Sequence, residues 1–501
     1  MRGKKAAINT AMSLLEELVA VICGFILPRL ILTYYGSKYN GLTSSITQFL
    51  SCAVLLRSGI GGATRAALYK PLAENNKDEI NGIVKATDQF MKKIGLILAG
   101  SILVFAMIYP FMVKNEFGWL FTFSLFVIIG TSTFAESFFG ITYLIVLQAD
   151  QRLWVSALMK SICYILNTVI GAFLIIHGAS IHAVKLGSAI VFVLYPIVLG
   201  MYVKAYYRID TNVAPNNKAI AQRWDAFWQQ IAVFVMNNTD VMVLTVFSNM
   251  LEVSVYSVYN MIMSGLKRTV TSLSNGLEAA FGNMIAKKEQ SALKENVAVV
   301  ETLIYGVSTV AYTCAAVMIF DFIRIYTKGI NDVNYIRYLF AYIMIVAQFF
   351  NGVRLPYQLV VQAAGHYKQT KKGAIVEPII NISLSILFVI KFGIVGVAVG
   401  TLAATIFRTL QYSIYMSKNI VHRNPVITFV RCMVSLVEAV IVIKIATFIP
   451  IDASINYKFW IYKSCITVAI AGVVVILGSV ICFREDVEKT VYKMKNIFSK
   501  K

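Results

Sequence analysis

Seven basic side chains stand where an apolar chain has least reason to put them. Arg29, Arg57, Arg65, Lys267, Arg268, Arg354 and Arg408 lie in or beside long apolar runs. An ionised group at the centre of a membrane helix costs about 2.5–3.5 kcal/mol on insertion scales, so each marks a wet cavity or an ion pair. The guanidinium fork binds phosphoryl oxygens two at a time, which suits a phosphate or diphosphate head. The same cations could instead snorkel to an interface or pair with Glu16, Glu17, Glu136 or Glu278. Helix rise puts Arg57 roughly 27 Å along its run and Lys267 and Arg268 about 21–22 Å along theirs. Arg408 is at comparable depth, Arg354 is deeper, Arg29 lies in the outer half of the first run, and Arg65 is near the cytoplasmic face.

Buried acids and amides form a second set. Asp240 follows Asn237, Asn238 and Thr239, and Glu377 and Asn381 are four residues apart, on one helix face. With the Thr401 hydroxyl they offer oxygen ligands for a coupling Na⁺ or proton. Depth works against the full set, since Asp240 is about 20 Å from the cytoplasmic edge of its run and Glu377 about one turn from its own. Pairing of Asp240 with a neighbouring cation is the other reading.

The elements that must position these groups are membrane helices. Of 501 residues 58% are apolar and 14% charged, against about 45–50% and about 25% in soluble proteins; the mean hydropathy is +0.70. Apolar runs predict an all-α membrane protein with fourteen transmembrane helices. These are Asn9–Leu32, Tyr39–Ala66, Ile94–Val113, Trp119–Leu147, Val155–Ile176, Val184–Val203 and Phe227–Phe247, then Val253–Asn283, Val297–Phe320, Ile336–Val361, Ala374–Ile390, Ile394–Met416, Ile427–Ile449 and Phe459–Cys482. Polar residues interrupt the second and eighth. With both termini cytoplasmic, Lys and Arg in the inner segments outnumber those outside roughly four to one. The 46 Lys+Arg against 25 Asp+Glu leave a net charge of +21, with homes in inner loops and in any pocket that receives an anion. The inner segment from Ala67 to Lys93 carries an apolar face of Ile80, Ile83, Val84 and Phe90, which predicts a helix lying along the interface. The basic tail from Arg484 is expected to sit at the inner leaflet.

Several functions are excluded by what the loops lack. No loop is long enough to fold as a catalytic or nucleotide-binding domain, and there is no Gly-rich phosphate loop to support ATP hydrolysis. The expectation is a non-enzyme with no cofactor and no nucleic-acid partner. The seven cysteines fall in or at the edge of apolar segments, without metal or disulfide spacing. His177, His182, His366 and His422 fall in loops or at helix ends. The basic residues at Met1–Lys5 precede an apolar run too long for a cleavable signal.

The two halves echo each other. Ser58-Gly59-Ile60 is matched by Gly276-Leu277, Leu147-Gln148-Ala149 by Val361-Gln362-Ala363, Gly187 by Gly400 and Tyr202 by Tyr415, at offsets of 213 to 217. A parallel repeat of two six-helix lobes implies a transporter with its path between the halves. The expected boundaries are 1–204 for the first lobe, 205–224 for a cytoplasmic linker, 225–417 for the second lobe and 418–501 for two extra helices and the tail.

Short motifs carry a family resemblance. Pro28-Arg29-Leu30, Tyr35-Gly36 and Tyr39-Asn40-Gly41-Leu42 resemble the start of polysaccharide flippases of the multidrug/oligosaccharidyl-lipid/polysaccharide exporter superfamily. Ser58-Gly59-Ile60-Gly61-Gly62-Ala63 with Arg65 is similar to that family's second helix, and Asn238-Thr239-Asp240 with Val255-Tyr256-Ser257 to the start of its second lobe. The resemblance implies two six-helix lobes around a central cavity, working by alternating access. It implies movement of undecaprenyl-diphosphate-linked oligosaccharide repeat units across a bacterial or archaeal cytoplasmic membrane, for capsule, O-antigen or exopolysaccharide assembly. Glycan polymerase and glycosyltransferases would then be partners, alongside membrane lipid. By likeness to lipid II flippases, Arg29 matches a first-helix arginine that receives the diphosphate. A sodium site of those relatives falls near Asp240, Asn381 and Thr401, with Glu377 less securely placed. Arg57 departs from the pattern, standing where many polysaccharide flippases carry an acid. Two other readings remain: a multidrug cation exporter, which should have an acidic cavity, and a polysaccharide polymerase, which needs larger external loops.

Overall fold

The computed structural model describes residues 2–54, 60–113, 116–210, 212–217, 238–274 and 277–499. Every regular element among them is helical, and the chain divides into two units, 1–257 and 258–501. The first holds α1 (Arg2–Tyr35), α2 (Ser37–Val54), α3 (Ile60–Glu74), α4 (Lys77–Met112), α5 (Trp119–Ala135), a π turn (Glu136–Gly140) and α6 (Ile141–Ala149). It continues with α7 (Leu153–Ile176), α8 (Ile181–Tyr207), α9 (described over Asn238–Phe247) and the start of α10 (Met250–Ser272). The second holds the rest of α10 and α11 (Leu277–Ala286), α12 (Gln290–Tyr326), α13 (Tyr338–Val353), α14 (Leu355–Ala363), α15 (Tyr367–Phe392) and α16 (Ile394–Asn419). Beyond these lie α17 (Val426–Ala446), α18 (Tyr457–Cys482) and α19 (Arg484–Ser499).

Local chemistry sets the breaks. Asn76 caps α4 by accepting from the Glu79 amide at 3.2 Å, and Asn456 caps α18 by accepting from Phe459 at 3.1 Å. Gly36, at φ 87°, is the single residue between α1 and α2, a left-handed conformation that only glycine adopts without penalty. Large apolar side chains stand on the outside, with Leu120 71%, Ile390 72% and Ile481 80% exposed. Such surfaces are stable only against lipid tails.

Eleven of the fourteen expected spans are, among the described residues, helices long and apolar enough to cross a membrane. The second and eighth are helical, as α2–α3 and α10–α11, but their polar residues keep them below that hydropathy. The seventh falls partly on 218–237, outside the described residues, and α9 is its described part. One expectation is corrected. The segment from Ala67 to Lys93, expected along the interface, is the end of α3 and the first part of α4, which runs unbroken for 36 residues. Ile80, Ile83 and Val84 pack with Leu68, Met91, Val146, Leu199 and Val203 in one core. No proline or glycine cap ends the helix between the two parts, so the apolar face stays on the bundle.

The repeat is visible in the elements themselves. α2 and α10, α4 and α12, α6 and α14, α7 and α15, and α8 and α16 start 213 or 214 residues apart. α4 and α12 have 36 and 37 residues. The fourth span is interrupted by the π turn at Glu136 and its counterpart by the α13–α14 joint at Arg354.

Buried charge fastens the extra helices to the second unit. Glu301 of α12 is fully buried and accepts two hydrogen bonds from Arg423, with Arg431 Nε 3.7 Å away. Arg431 also reaches Asp486 of α19 at 2.6 Å. Burial works against the charge of Arg423, and the hydrogen bonds and charge of Glu301 more than offset it, so its pKa is raised. At the other end of α12, Lys463 of α18 lies 3.4 Å from Asp321, and Trp460 Nε1 donates to the Met318 carbonyl at 3.1 Å. Removing one member of a buried ion network leaves the others uncompensated, at about 3–5 kcal/mol. Glu301→Ala is therefore expected to lower the melting temperature in detergent sharply. Arg484→Ala, which breaks only the exposed pair with Glu488, should leave it nearly unchanged.

Candidate functional site

In the first unit, polar residues form a seam along α2, α9 and the start of α10. Asn40 Nδ2 donates to the Ser254 and Ser257 hydroxyls at 2.9 and 3.1 Å. Ser45 and Thr245 are 2.6 Å apart, and Asn238 Oδ1 accepts from Gln48 and from Ser51. Close approach is needed here, since a Cβ at Gly41 would overlap the backbone of Met250. Asp240 of α9 is nearly buried and its Oδ2 accepts from the Tyr256 hydroxyl of α10 at 2.8 Å. Two motifs the sequence presents separately, Asn238-Thr239-Asp240 and Val255-Tyr256-Ser257, thus meet through one bond.

The basic residues of this unit stand as follows. Arg29 follows Pro28 inside α1 and is partly buried, and its carbonyl accepts from Thr33 at 2.9 Å. Arg57 lies outside the described residues. Arg65 Nη1 of α3 donates to Gln148 Oε1 of α6 at 2.6 Å, so the Leu147-Gln148-Ala149 motif holds α3. Glu16 lies 3.9 Å from Lys160 of α7. Lys160 and Glu136 line a polar cavity of about 190 Å³ with Ser132, Thr133, Tyr164 and Tyr195.

The second unit builds a denser cluster. Arg354 stands at the α13–α14 joint, Glu377 on α15 before Pro378, and Arg408 on α16. Arg354 Nη1 donates to Glu377 Oε1 at 2.6 Å, and Arg408 Nε is 3.4 Å from Glu377 Oε2. One carboxylate therefore carries a guanidinium on each oxygen. Other donors are used as well: Arg354 Nη2 bonds Asn351 at 2.8 Å, and Arg408 bonds Gln411, the Thr370 carbonyl at 3.2 Å and the Tyr412 hydroxyl at 2.7 Å, while Arg354 Nε is buried without a hydrogen bond. Arg408 also stacks its guanidinium 4.0 Å from the Tyr412 ring centre. Lys267 of α10 is within electrostatic reach of Arg354 and Glu377, and Arg268 follows it on the same helix. Two guanidiniums against one carboxylate leave the cluster cationic, with Lys267 adding to it.

Asn381 shares the α15 face with Glu377 but turns to other partners. Its Nδ2 donates to Thr401 Oγ1 of α16 at 3.0 Å, while its fully buried Oδ1 has no hydrogen bond. Small residues make this contact possible, since side chains at Gly396 and Gly400 would overlap the α15 backbone. Sequence reasoning passed over Glu301, Arg423, Arg431 and Glu438. An ionisable residue within an apolar run is the signal that marks Glu301, Arg431 and Glu438, whereas Arg423 stands in the polar loop between α16 and α17 and carries no such signal.

Two units built on one repeated series of apolar helices, each with charged side chains buried among them, define a fold of many membrane-crossing helices. The chain is similar to the lipid II flippase MurJ in an inward closed conformation, with TM-score 0.72 and 15% identity over 96% of this chain and 99% of that one. It is also similar to an inward-facing multidrug resistance transporter of the MATE family of the MOP superfamily, with TM-score 0.62 and 12% identity over 82% of this chain and 98% of that one. A eukaryotic MATE transporter gives TM-score 0.59 and 14% identity over 83% and 95%. No protein-family model and no curated protein sequence matches. The fold is similar to that of these flippase and MATE transporter structures.

The shared carboxylate makes Arg408 and Glu377 energetically dependent on each other. A double-mutant cycle of Glu377→Gln and Arg408→Met, read by thermal unfolding, is expected to give a coupling of about 1–3 kcal/mol. Additive effects would mean that the contact contributes nothing.

Proposed function

We propose that this chain is a flippase for polyprenyl-diphosphate-linked oligosaccharide, working by alternating access. The observation that carries the reading is the extent of the fold match. The lipid II flippase covers 96% of the chain, whereas the multidrug transporters cover 82–83% while using 95–98% of their own length. The uncovered share is about the size of residues 418–501, which hold α17 to α19.

In this reading the diphosphate is received by cations: Arg29, Arg57 and Arg65 from the first unit, and Lys267, Arg268, Arg354 and Arg408 from the second. Arg354 and Arg408 would act as a positive cluster already oriented by Glu377. The polyprenyl tail stays in lipid, and an apolar groove of about 280 Å³ between α12, α13 and α17, lined by Tyr312, Phe349, Phe350, Met433 and Leu436, suits isoprene units. An ion gradient, Na⁺ or H⁺, supplies the energy. Each unit offers one place for the driving cation: Asp240 with Tyr256 in the first, Asn381 with Thr401 in the second. Glu377 does not fit as a ligand there, because guanidiniums occupy both its oxygens.

A multidrug exporter is the second reading, favoured by the MATE fold match; the cationic cluster of Arg354 and Arg408 on one carboxylate speaks for an anionic substrate instead. The two separate in cells that depend on the protein. Arg29→Ala and Arg268→Ala, each at normal protein level, are expected to reduce surface glycan at least tenfold and to accumulate the lipid-linked intermediate. Undiminished glycan in both variants, or a drug-sensitivity phenotype alone, would overturn the flippase reading.

A further inference from the structure

Glu438 stands near the middle of α17, twelve residues after its first residue and eight before its last. It is only 5% exposed, while its neighbours Leu436 and Val437 are 57% and 58% exposed. The apolar face of α17 therefore looks outward and the carboxyl looks inward, against α18. A Cβ at Gly478 of α18 would overlap Glu438 Oε1, so that glycine is where the carboxyl lies. Glu438 Oε1 has no hydrogen bond, and Glu438 makes no ion pair among the described residues.

The carboxyl lines a small cavity of about 10 Å³, room for a single water-sized sphere. Hydroxyl-bearing residues of three helices line it: Ser435 from α17, whose Oγ accepts from Thr309 at 2.9 Å, Thr302 and Tyr305 from α12, and Ser479 from α18. Arg431 closes one side, but its guanidinium is engaged by Asp486, Glu301 and Thr302. The other titratable groups nearby are Tyr305, bonded to Tyr357 at 2.9 Å, and Cys432, 3.5 Å from Tyr305. α18 brings no charged group to the lining.

A carboxylate at this depth without a counter-ion is costly, and the cavity offers room for one small positive charge. We propose that Glu438, with the hydroxyls of Ser435 and Ser479, forms a site for one small monovalent cation, Na⁺ or a proton, at the junction of α12, α17 and α18. A single carboxylate balances a single charge, and the space is too small for the six to eight oxygens of a calcium site. The occupant draws α17 and α18 together, so the folded protein gains stability as the ion is added. The site is separate from the cationic cluster at Glu377 and stands whether or not the flippase reading does.

The test uses the full chain purified in detergent, with NaCl exchanged for choline chloride at constant ionic strength, at pH 6 and pH 8. The expected result is a melting temperature that rises with Na⁺ at pH 8 if the occupant is sodium, or with acidification alone if it is a proton. Glu438→Gln should abolish whichever response the native chain shows. Ser479→Ala, which keeps the carboxyl, should weaken a sodium midpoint several-fold and leave a proton response in place. A native chain indifferent to both ions overturns the proposal, as does a response of the same size in Glu438→Gln. Should Glu438→Gln not fold, the infrared band of a protonated carboxyl and ²²Na⁺ binding to the native chain decide. Absence of both signals also overturns it.

Discussion

A charge that leaves water for lipid must find its partner inside the protein, and that constraint organises this chain. Glu301, fully buried, takes two hydrogen bonds from Arg423 and the proximity of Arg431, which in turn reaches Asp486. Glu377 takes Arg354 and Arg408 together. In both places an acid on one helix gathers guanidiniums from other segments, and because the acid is shut away from water, those segments are held in register. The same logic covers neutral groups: the hydroxyls and amides of α2, α9 and α10 bond to one another along a seam, since lipid offers them nothing.

This constraint also explains where the repeat diverges. The two series of helices keep their spacing closely, because a span's length is set by the bilayer rather than by function. What differs is the chemistry at the equivalent break. The first series has a π turn carrying Glu136 and the second a joint carrying Arg354. An interruption in a membrane helix frees backbone groups that must be satisfied by protein or water, which is why such places attract polar chemistry. The fold thus allows one scaffold to carry opposite charges in its two halves.

The helices α17 to α19 are more than an appendage. They close over α12 through ion pairs at both its ends, and between those ends sits the Glu438 carboxyl, which makes no ion pair among the described residues. Their ties to α12 place Glu438 beside a helix of the repeat.

Much was legible in the sequence by itself. Span length, the all-helical class and the parallel repeat follow from hydropathy and spacing, because a bilayer imposes both on any chain that crosses it. The eleven spans, and the difficulty of the second and eighth, were visible in the same way. Partnership was not. That Glu377 would bind two arginines while Asn381, one turn on, would bind Thr401 depends on which helices face α15. That Ile80, Ile83 and Val84 enter a core rather than an interface depends on α4 running unbroken onto its neighbours. Glu301 and Arg423 are 122 residues apart, and only three-dimensional packing makes them one charged group. Local composition decides what each segment can be; which buried charge meets which is a property of the assembled bundle, because electrostatic pairing acts through space and not along the chain.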